Sequence, residues 1–286
     1  MPSRTLRSTK RPSPAVGWLS SAEIGSFRRV VYAYVRRNRR ILPWRQTGNP
    51  YHILISEIML QQTQVGRVVE KYGAFIARFP DIRSLAAATL SDIFSVWHGL
   101  GYNRRALLLK KMAAELLRQK GKIPRDPVQL EQLPGIGPYT ARAIAAFAFN
   151  QPVIVIETNI RSVFLHHFFP GKTMVHDREI LPLIEQTLDR LCPRRWYAAL
   201  MDYGAMLKTL FPNPSRRSAH YARQSPFAGS QRQLRGKIMK ALIGRPRLRK
   251  QYLYRSVGAE PERIDRCLRD LCREGLVQAN GAWVQL

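Results

Sequence analysis

The run LPGIGPYTARAIAAFAF, Leu133 to Phe149, constrains the fold of this chain more than any other stretch. Pro138 suits the first turn of a helix, and the Ala-rich text behind it continues one. The Gly135-Ile136-Gly137 turn in front of it lets the backbone take conformations closed to other residues and come close to a neighbouring group. A short candidate helix at Pro127 to Gln132 precedes the turn, so the segment reads as helix, hairpin, helix. Free amides opening the second helix, aided by its dipole, are suited to gripping a phosphate. Two glycines before a helix are a weak sign on their own; the full wording with Leu133-Pro134-Gly135 is more specific.

From Ala22 to Phe211 the pattern stays helical. Apolar residues recur three and four apart, as in Val68, Val69, Tyr72, Phe75, Ile76 and in Ala106, Leu109, Ala113, Leu116, Leu117. Stops at Phe79-Pro80, Gly99-Leu100-Gly101, Lys120-Gly121, Gln151-Pro152 and Phe169-Pro170-Gly171 predict an all-α domain of about eight to ten short helices. The text from Phe211 to Arg232 is crowded with Pro, Ser and Arg and reads as a basic linker. Beyond it, Leu234, Ile238 and Leu242, then Leu253 and Val257, then Ile264, Leu268 and Leu271 mark the cores of three short helices. Leu276-Val277-Gln278 and Ala282-Trp283-Val284 flank Asn280-Gly281, a hairpin turn signal. The predicted layout is a basic tail over 1–20, a helical domain over 21–211, a linker over 212–230 and a small winged-helix-like domain over 231–286.

Charge narrows the partners. Lys and Arg number 47 against 19 Asp and Glu in 286 residues, a formal charge of +28, and a polyanion is the natural partner of such an excess. An anionic membrane is the competing reading, but no apolar stretch approaches the roughly 20 residues of a span, and the basic residues are scattered along the chain. Cys192, Cys267 and Cys272 are odd in number and far apart, which argues for a reducing interior, hence the cytoplasm or nucleoid. Residues 1 to 17 lack the apolar core of a signal peptide. They lack acids, as an organellar transit peptide does, but their prolines do not suit one. The six histidines show no metal spacing.

The acids carry the chemistry. Glu57 lies in PYHILISEIMLQQTQV, Pro50 to Val65, among apolar residues, and a second acid-amide group follows at Glu157-Thr158-Asn159. A carboxylate in an apolar run is expensive to desolvate, so an acid held ready to give up a proton explains Glu57 better than packing does. With a phosphate-gripping hairpin and a cationic chain, this suggests acid-base chemistry on a nucleic acid.

Leu42 to Leu210 resembles the helix-hairpin-helix (HhH-GPD) DNA glycosylase superfamily through LPWR, SEIMLQQTQV, GLGY, LPGIGPYTA and MDYGAM, and these motifs are most similar to those of the MutY-type adenine glycosylases and the archaeal mismatch-specific thymine glycosylases. The resemblance implies a two-lobed helical fold. It places Glu57 as the acid that protonates the departing purine and Glu157 where the family carries an aspartate that stabilises the cationic sugar. The extra methylene of Glu157 departs from the family, and an ordinary helix-capping role competes with the catalytic one. Asn159 is implied to hold the water and the carboxylates, with an N-cap as its alternative. Tyr139 stands where bifunctional relatives carry the lysine that forms an imine, which a phenol cannot do, so a monofunctional enzyme is expected. Gln62 and Tyr102 match residues that fill the gap left by an extruded base, Gln61 is expected to meet that base, and Leu133, Gly135, Gly137 and Thr140 belong to the DNA-gripping hairpin.

Two family features are missing from the sequence. Residues 209 to 229 contain no cysteine where many relatives bind a four-iron cluster, so no iron-sulfur cluster is expected. No other cofactor is expected, a monovalent cation at the hairpin being left open. Residues 231 to 286 are too short and too helical to be the β-rich domain that inspects 8-oxoguanine. The stretch from Pro212 to Leu286 is itself cationic, with 16 Lys and Arg against 5 acids, and is expected to extend the DNA footprint. The expected function is a monomeric DNA N-glycosylase acting on double-stranded DNA with a mismatched or damaged base, adenine first, that leaves an abasic site. A mismatch uracil or thymine glycosylase and a non-catalytic damage-binding protein are the alternatives.

Overall fold

The computed structural model of the chain describes residues 17–245 and 247–286, so most of the expected basic tail lies outside the described residues. The elements run α1 (Ser21–Asn38), a 3-10 turn (Pro43–Arg45), α2 (Pro50–Leu60), α3 (Val65–Arg78), α4 (Ile82–Ala87), α5 (Leu90–Trp97), α6 (Arg104–Arg118), α7 (Pro127–Glu131), α8 (Pro138–Phe149), α9 (Thr158–Phe168), α10 (Asp177–Thr187), α11 (Pro193–Leu210), a 3-10 turn (Pro214–Arg217), α12 (Gln231–Leu242), β1 (Leu248–Arg249), α13 (Lys250–Val257), α14 (Pro261–Arg273), β2 (Gln278–Asn280) and β3 (Trp283–Gln285). The fold is mostly helical, as the periodicity predicts. Among the described residues no helix is long and apolar enough to cross a membrane.

The described residues divide into two compact units, residues 17–40 with 150–223 and residues 41–149 with those described from 224 to 286. In the first, α9 packs on α11, and α1 and α10 pack against this pair. Its core is aromatic: Phe164 and Trp196 are fully buried, and Phe27 meets both rings at centroid distances of 5.4 and 5.8 Å. Burying each such ring stabilises the unit by about 2 kcal/mol.

His167 lies in this aromatic cluster, its Nε2 3.0 Å from the Tyr203 hydroxyl. Burial, reinforced by the neighbouring His166, pushes its imidazole from 6.5 down to about 4. Between those values the unfolded chain binds more protons than the folded one, so the stability is whole above about pH 6.5 and is lost as the pH falls toward 4. Lowering the pH from 7 to 5 is expected to cost about 2 kcal/mol through this group alone. Urea unfolding at both pH values checks it: His167→Gln should show a markedly smaller difference between them than the wild type.

In the second unit, α2 is apolar almost all round and runs through the interior, with every residue from Ile53 to Met59 buried. Asn49 caps it through the Tyr51 amide, 2.9 Å away, and Pro50 opens it. It packs on α8, whose buried side chains are mostly alanine. Residues 234–284 share the same continuous apolar core, from Leu42 and Trp44 to Leu271 and Val284. There α12, α13 and α14 are followed by a three-stranded antiparallel sheet in the order β1-β3-β2. This is the winged-helix-like order the sequence predicts, with Asn280 paired to Trp283 across the Gly281-Ala282 turn.

Candidate active site

Glu57 occupies the last but one turn of α2 and is 7% exposed, between Ile53, Leu54, Ile58 and Met59, all buried. A helix selected for packing alone would carry an apolar residue there, because a buried carboxyl costs several kcal/mol unless its polar atoms are satisfied.

Two loops of the same unit lie beyond the end of α2. The Gln61-Gln62-Thr63 turn carries Gln62 exposed at φ +54°, and the Gly99-Leu100-Gly101-Tyr102 loop carries Tyr102 at φ +49°. A left-handed backbone is uncommon for a bulky residue and is held only where the surroundings over-determine it. Here the agent is Arg105, which sequence reasoning missed. Its buried guanidinium lies 2.6 to 2.8 Å from the carbonyl oxygens of Ile58, Met59 and Gln61, 2.8 Å from Thr63 Oγ1 and 3.0 Å from the Gly101 carbonyl. The Trp97 and Tyr102 rings flank it at 5.2 and 5.4 Å. The one signal in the sequence is an arginine in phase with Leu109 and Met112 on the buried face of α6.

The hairpin joins this cluster through Gln61, whose side-chain amide donates to Thr140 Oγ1 at 3.0 Å and to the Gly135 carbonyl at 3.4 Å. Gly135 sits at φ +84°, and a Cβ there would fall 2.9 Å from Leu108 Cβ, so only glycine fits. At Gly137 a Cβ would meet nothing within 4 Å. Packing therefore does not explain that glycine. Leu133 and Thr140 are buried and brace the hairpin from inside, and Tyr139, in the first turn of α8, is 37% exposed.

Glu157 and Asn159 belong to the other unit. Glu157 caps α9: its Oε1 accepts from the Asn159 and Ile160 amides at 2.7 and 2.9 Å, which is the capping role the sequence holds open. Its Oε2 accepts from Asn159 Nδ2 at 3.1 Å, and Lys208 Nζ donates to Asn159 Oδ1 at 2.8 Å. Lys208, also missed, thus completes a carboxylate-amide-ammonium chain. Burial lowers its pKa, and the charge of Glu157 acts in the opposite direction. The chain forms because α11 passes hard against the start of α9: a Cβ at Gly204 would sit 2.2 Å from the Asn159 carbonyl oxygen. This is the physical reason for the glycine in MDYGAM.

The segment after α11 is not a plain linker. Pro214, Ser215 and Ser218 are buried, Val175 and Ser218 form a parallel bridge, and Arg217 donates to the carbonyls of Leu165 and Phe169. The backbone here is tied by a guanidinium. The three cysteines, exposed Cys192 and the α14 pair Cys267 and Cys272, are one short of the four thiolates that an iron-sulfur cluster takes.

Residues 55–189 match the family of HhH-GPD superfamily base excision DNA repair proteins, and the chain belongs to this family. An adenine DNA glycosylase of Mycolicibacterium smegmatis is 35% identical to it over 265 residues, covering 84% of this chain and 88% of that protein. An adenine DNA glycosylase of Buchnera aphidicola is 38% identical over 180 residues, which is 61% of this chain and 50% of its own, so the chain spans about half of that relative. A solved thermostable thymine-DNA glycosylase superposes with a TM-score of 0.58 at 27% identity, over 64% of this chain and 86% of its own.

Proposed function

We propose that the chain is a monofunctional DNA N-glycosylase of base excision repair that extrudes a mispaired or damaged base, adenine first, and hydrolyses its bond to the sugar. The observation that carries this is the carboxyl of Glu57, 7% exposed in the apolar α2 of a unit that also holds the phosphate-binding hairpin and both left-handed loops. The similarity to an adenine glycosylase over 88% of its length supports adenine as the base.

In this reading Glu57 gives its proton to the purine as the glycosidic bond breaks and the bonding pair leaves with the base. The negative charge of Glu157 stabilises the cationic sugar, Asn159 orients the water that adds its oxygen to the sugar carbon, and the water's proton passes to a carboxylate. Tyr139 offers no amine for an imine, so strand cleavage is not coupled to base release. Gln62 and Tyr102 fill the vacated stack, and Gln61, Leu133, Gly135, Gly137 and Thr140 form the DNA-holding end of the unit. The enzyme works without an iron-sulfur cluster, as a monomer, in the cytoplasm at the nucleoid. A monovalent cation at the hairpin remains part of the proposal.

A panel of duplexes, each with one mismatched or damaged base, tests it by alkali treatment after incubation. Breaks are expected at mispaired adenine, and only after alkali. Mismatch thymine or uracil excision is the second reading, favoured by the likeness to the thymine-DNA glycosylase, and breaks confined to thymine or uracil would establish it. Tight binding with no breaks on any duplex would make the chain a damage-binding protein instead.

A further inference from the structure

Lys208 stands in the last turn of α11, one turn beyond Gly204, so the two share a face of the helix. Gly204 lets α11 press against the Asn159 backbone, and the same face then carries the lysine to the Asn159 side chain, where Nζ donates to Oδ1 at 2.8 Å. That side chain in turn donates from Nδ2 to Glu157 Oε2 at 3.1 Å. The Glu157 carboxylate is itself fixed by the Asn159 and Ile160 backbone amides in the first turn of α9.

The three groups differ in what they can exchange. An ammonium only donates and a carboxylate only accepts, whereas a carboxamide has two N–H donors at one end and two lone pairs at the other. One orientation of Asn159 therefore satisfies both neighbours. A half-turn about its last torsion would set oxygen against oxygen and N–H against N–H. Held as it is, the amide spends one N–H and one lone pair on Glu157 and Lys208 and has one of each to offer. Such a pair can donate to a water and accept from it.

Charge does not explain the lysine. In the proposed reaction the sugar becomes cationic, and an ammonium nearby opposes the stabilisation that Glu157 supplies, the more so where water is scarce. Burial lowers the pKa of Lys208, the charge of Glu157 raises it and that of Arg161 lowers it again. Arg161 is itself engaged by Asp177 through two bonds of 2.7 Å. A tie between helices does not explain the lysine either, because the contact at Gly204 already brings α11 onto α9. The bond to the amide oxygen does.

We propose that Lys208 is a positioning residue of the hydrolytic step: its ammonium holds Asn159 in the one orientation that keeps Nδ2 on Glu157 and presents a donor and a lone pair to the attacking water. The assignment rests on the function proposed above and adds to it the group that fixes the amide.

Lys208→Met removes the donor and keeps an unbranched side chain to fill the half-buried space. On the mismatched duplex where the wild type is most active, it is expected to slow single-turnover base release by about a hundredfold at saturating enzyme, the cost of misplacing a positioning group by about 1 Å. Affinity for an uncleaved duplex, read by anisotropy, should stay within about twofold, because the amide acts on the water and not on duplex binding. Lys208→Gln, polar but too short to reach the amide, should lose rate to the same degree and serves where the methionine variant does not fold. In an Asn159→Ala background, Lys208→Met should change the rate by less than about twofold, since the amide through which it acts is gone. A loss that persists without Asn159, a parallel loss of rate and affinity, or wild-type release by either single variant overturns the assignment and leaves the proposed function standing. A wild-type chain that releases no base from any duplex removes the function, and this assignment with it.

Discussion

Glu57→Gln is expected to slow base release by on the order of a thousandfold, within the range that a positioned general acid contributes, while duplex affinity stays within about twofold. The side chain is 7% exposed, inside a helix whose neighbouring residues are all buried, and glutamine matches its volume and keeps one oxygen and a donor for hydrogen bonding. What glutamine lacks is a proton it can release to a departing base. Single-turnover release from a mispaired-adenine duplex, beside anisotropy titration on an uncleaved one, separates the two quantities. Parallel loss of release and affinity would show the acid to be structural and would remove the chemistry proposed for this chain.

The parts of this site that could be read from the sequence are local. Pro138, Gly135 and the alanines of α8 set the hairpin within a few residues of themselves, and the apolar run of α2 puts Glu57 in the interior without reference to any other element. The same holds for the C-terminal hairpin, although its turn falls at Gly281-Ala282, one residue beyond the Asn280-Gly281 that the sequence suggests. In contrast, β1 is only Leu248–Arg249, paired with Trp283 and Val284 far along the chain, and no local alternation announces it. The predicted core positions of the C-terminal helices, from Leu234 to Leu271, are buried, yet no helical face tells that this core continues into Leu42 and Trp44. The basic text around Arg217 reads as a linker because its guanidinium meets backbone carbonyls, which carry no mark in a sequence. Lys208 escapes for a related reason: its partner Asn159 is on another helix, brought there by the absence of a side chain at Gly204.

Arg105 shows the same limit and the largest structural consequence. Replacing it with methionine is expected to cost about 3–5 kcal/mol, because the carbonyls of Ile58 and Met59 would stay buried without the charged donor that binds them, and those of Gln61 and Gly101 would lose theirs as well. Burial pulls the guanidinium down to about 10, so it is fully charged at neutral pH, and the bonds are of the strong, charge-assisted kind. Arg105→Lys is the sharper test. An ammonium keeps the charge but presents three donors from a single atom, and it cannot span the carbonyls after α2 and the Gly101 carbonyl with a planar fork. The variant should stay folded at moderate temperature while Gln62 and Tyr102 lose their fixed left-handed geometry. Misplacement of such positioning groups by about 1 Å costs on the order of a hundredfold in rate. Urea unfolding, followed by single-turnover excision well below the melting point with enzyme saturating, reads the two effects apart. Wild-type excision by the lysine variant would mean that the loops hold their shape without the fork, and the role assigned to Arg105 would fall.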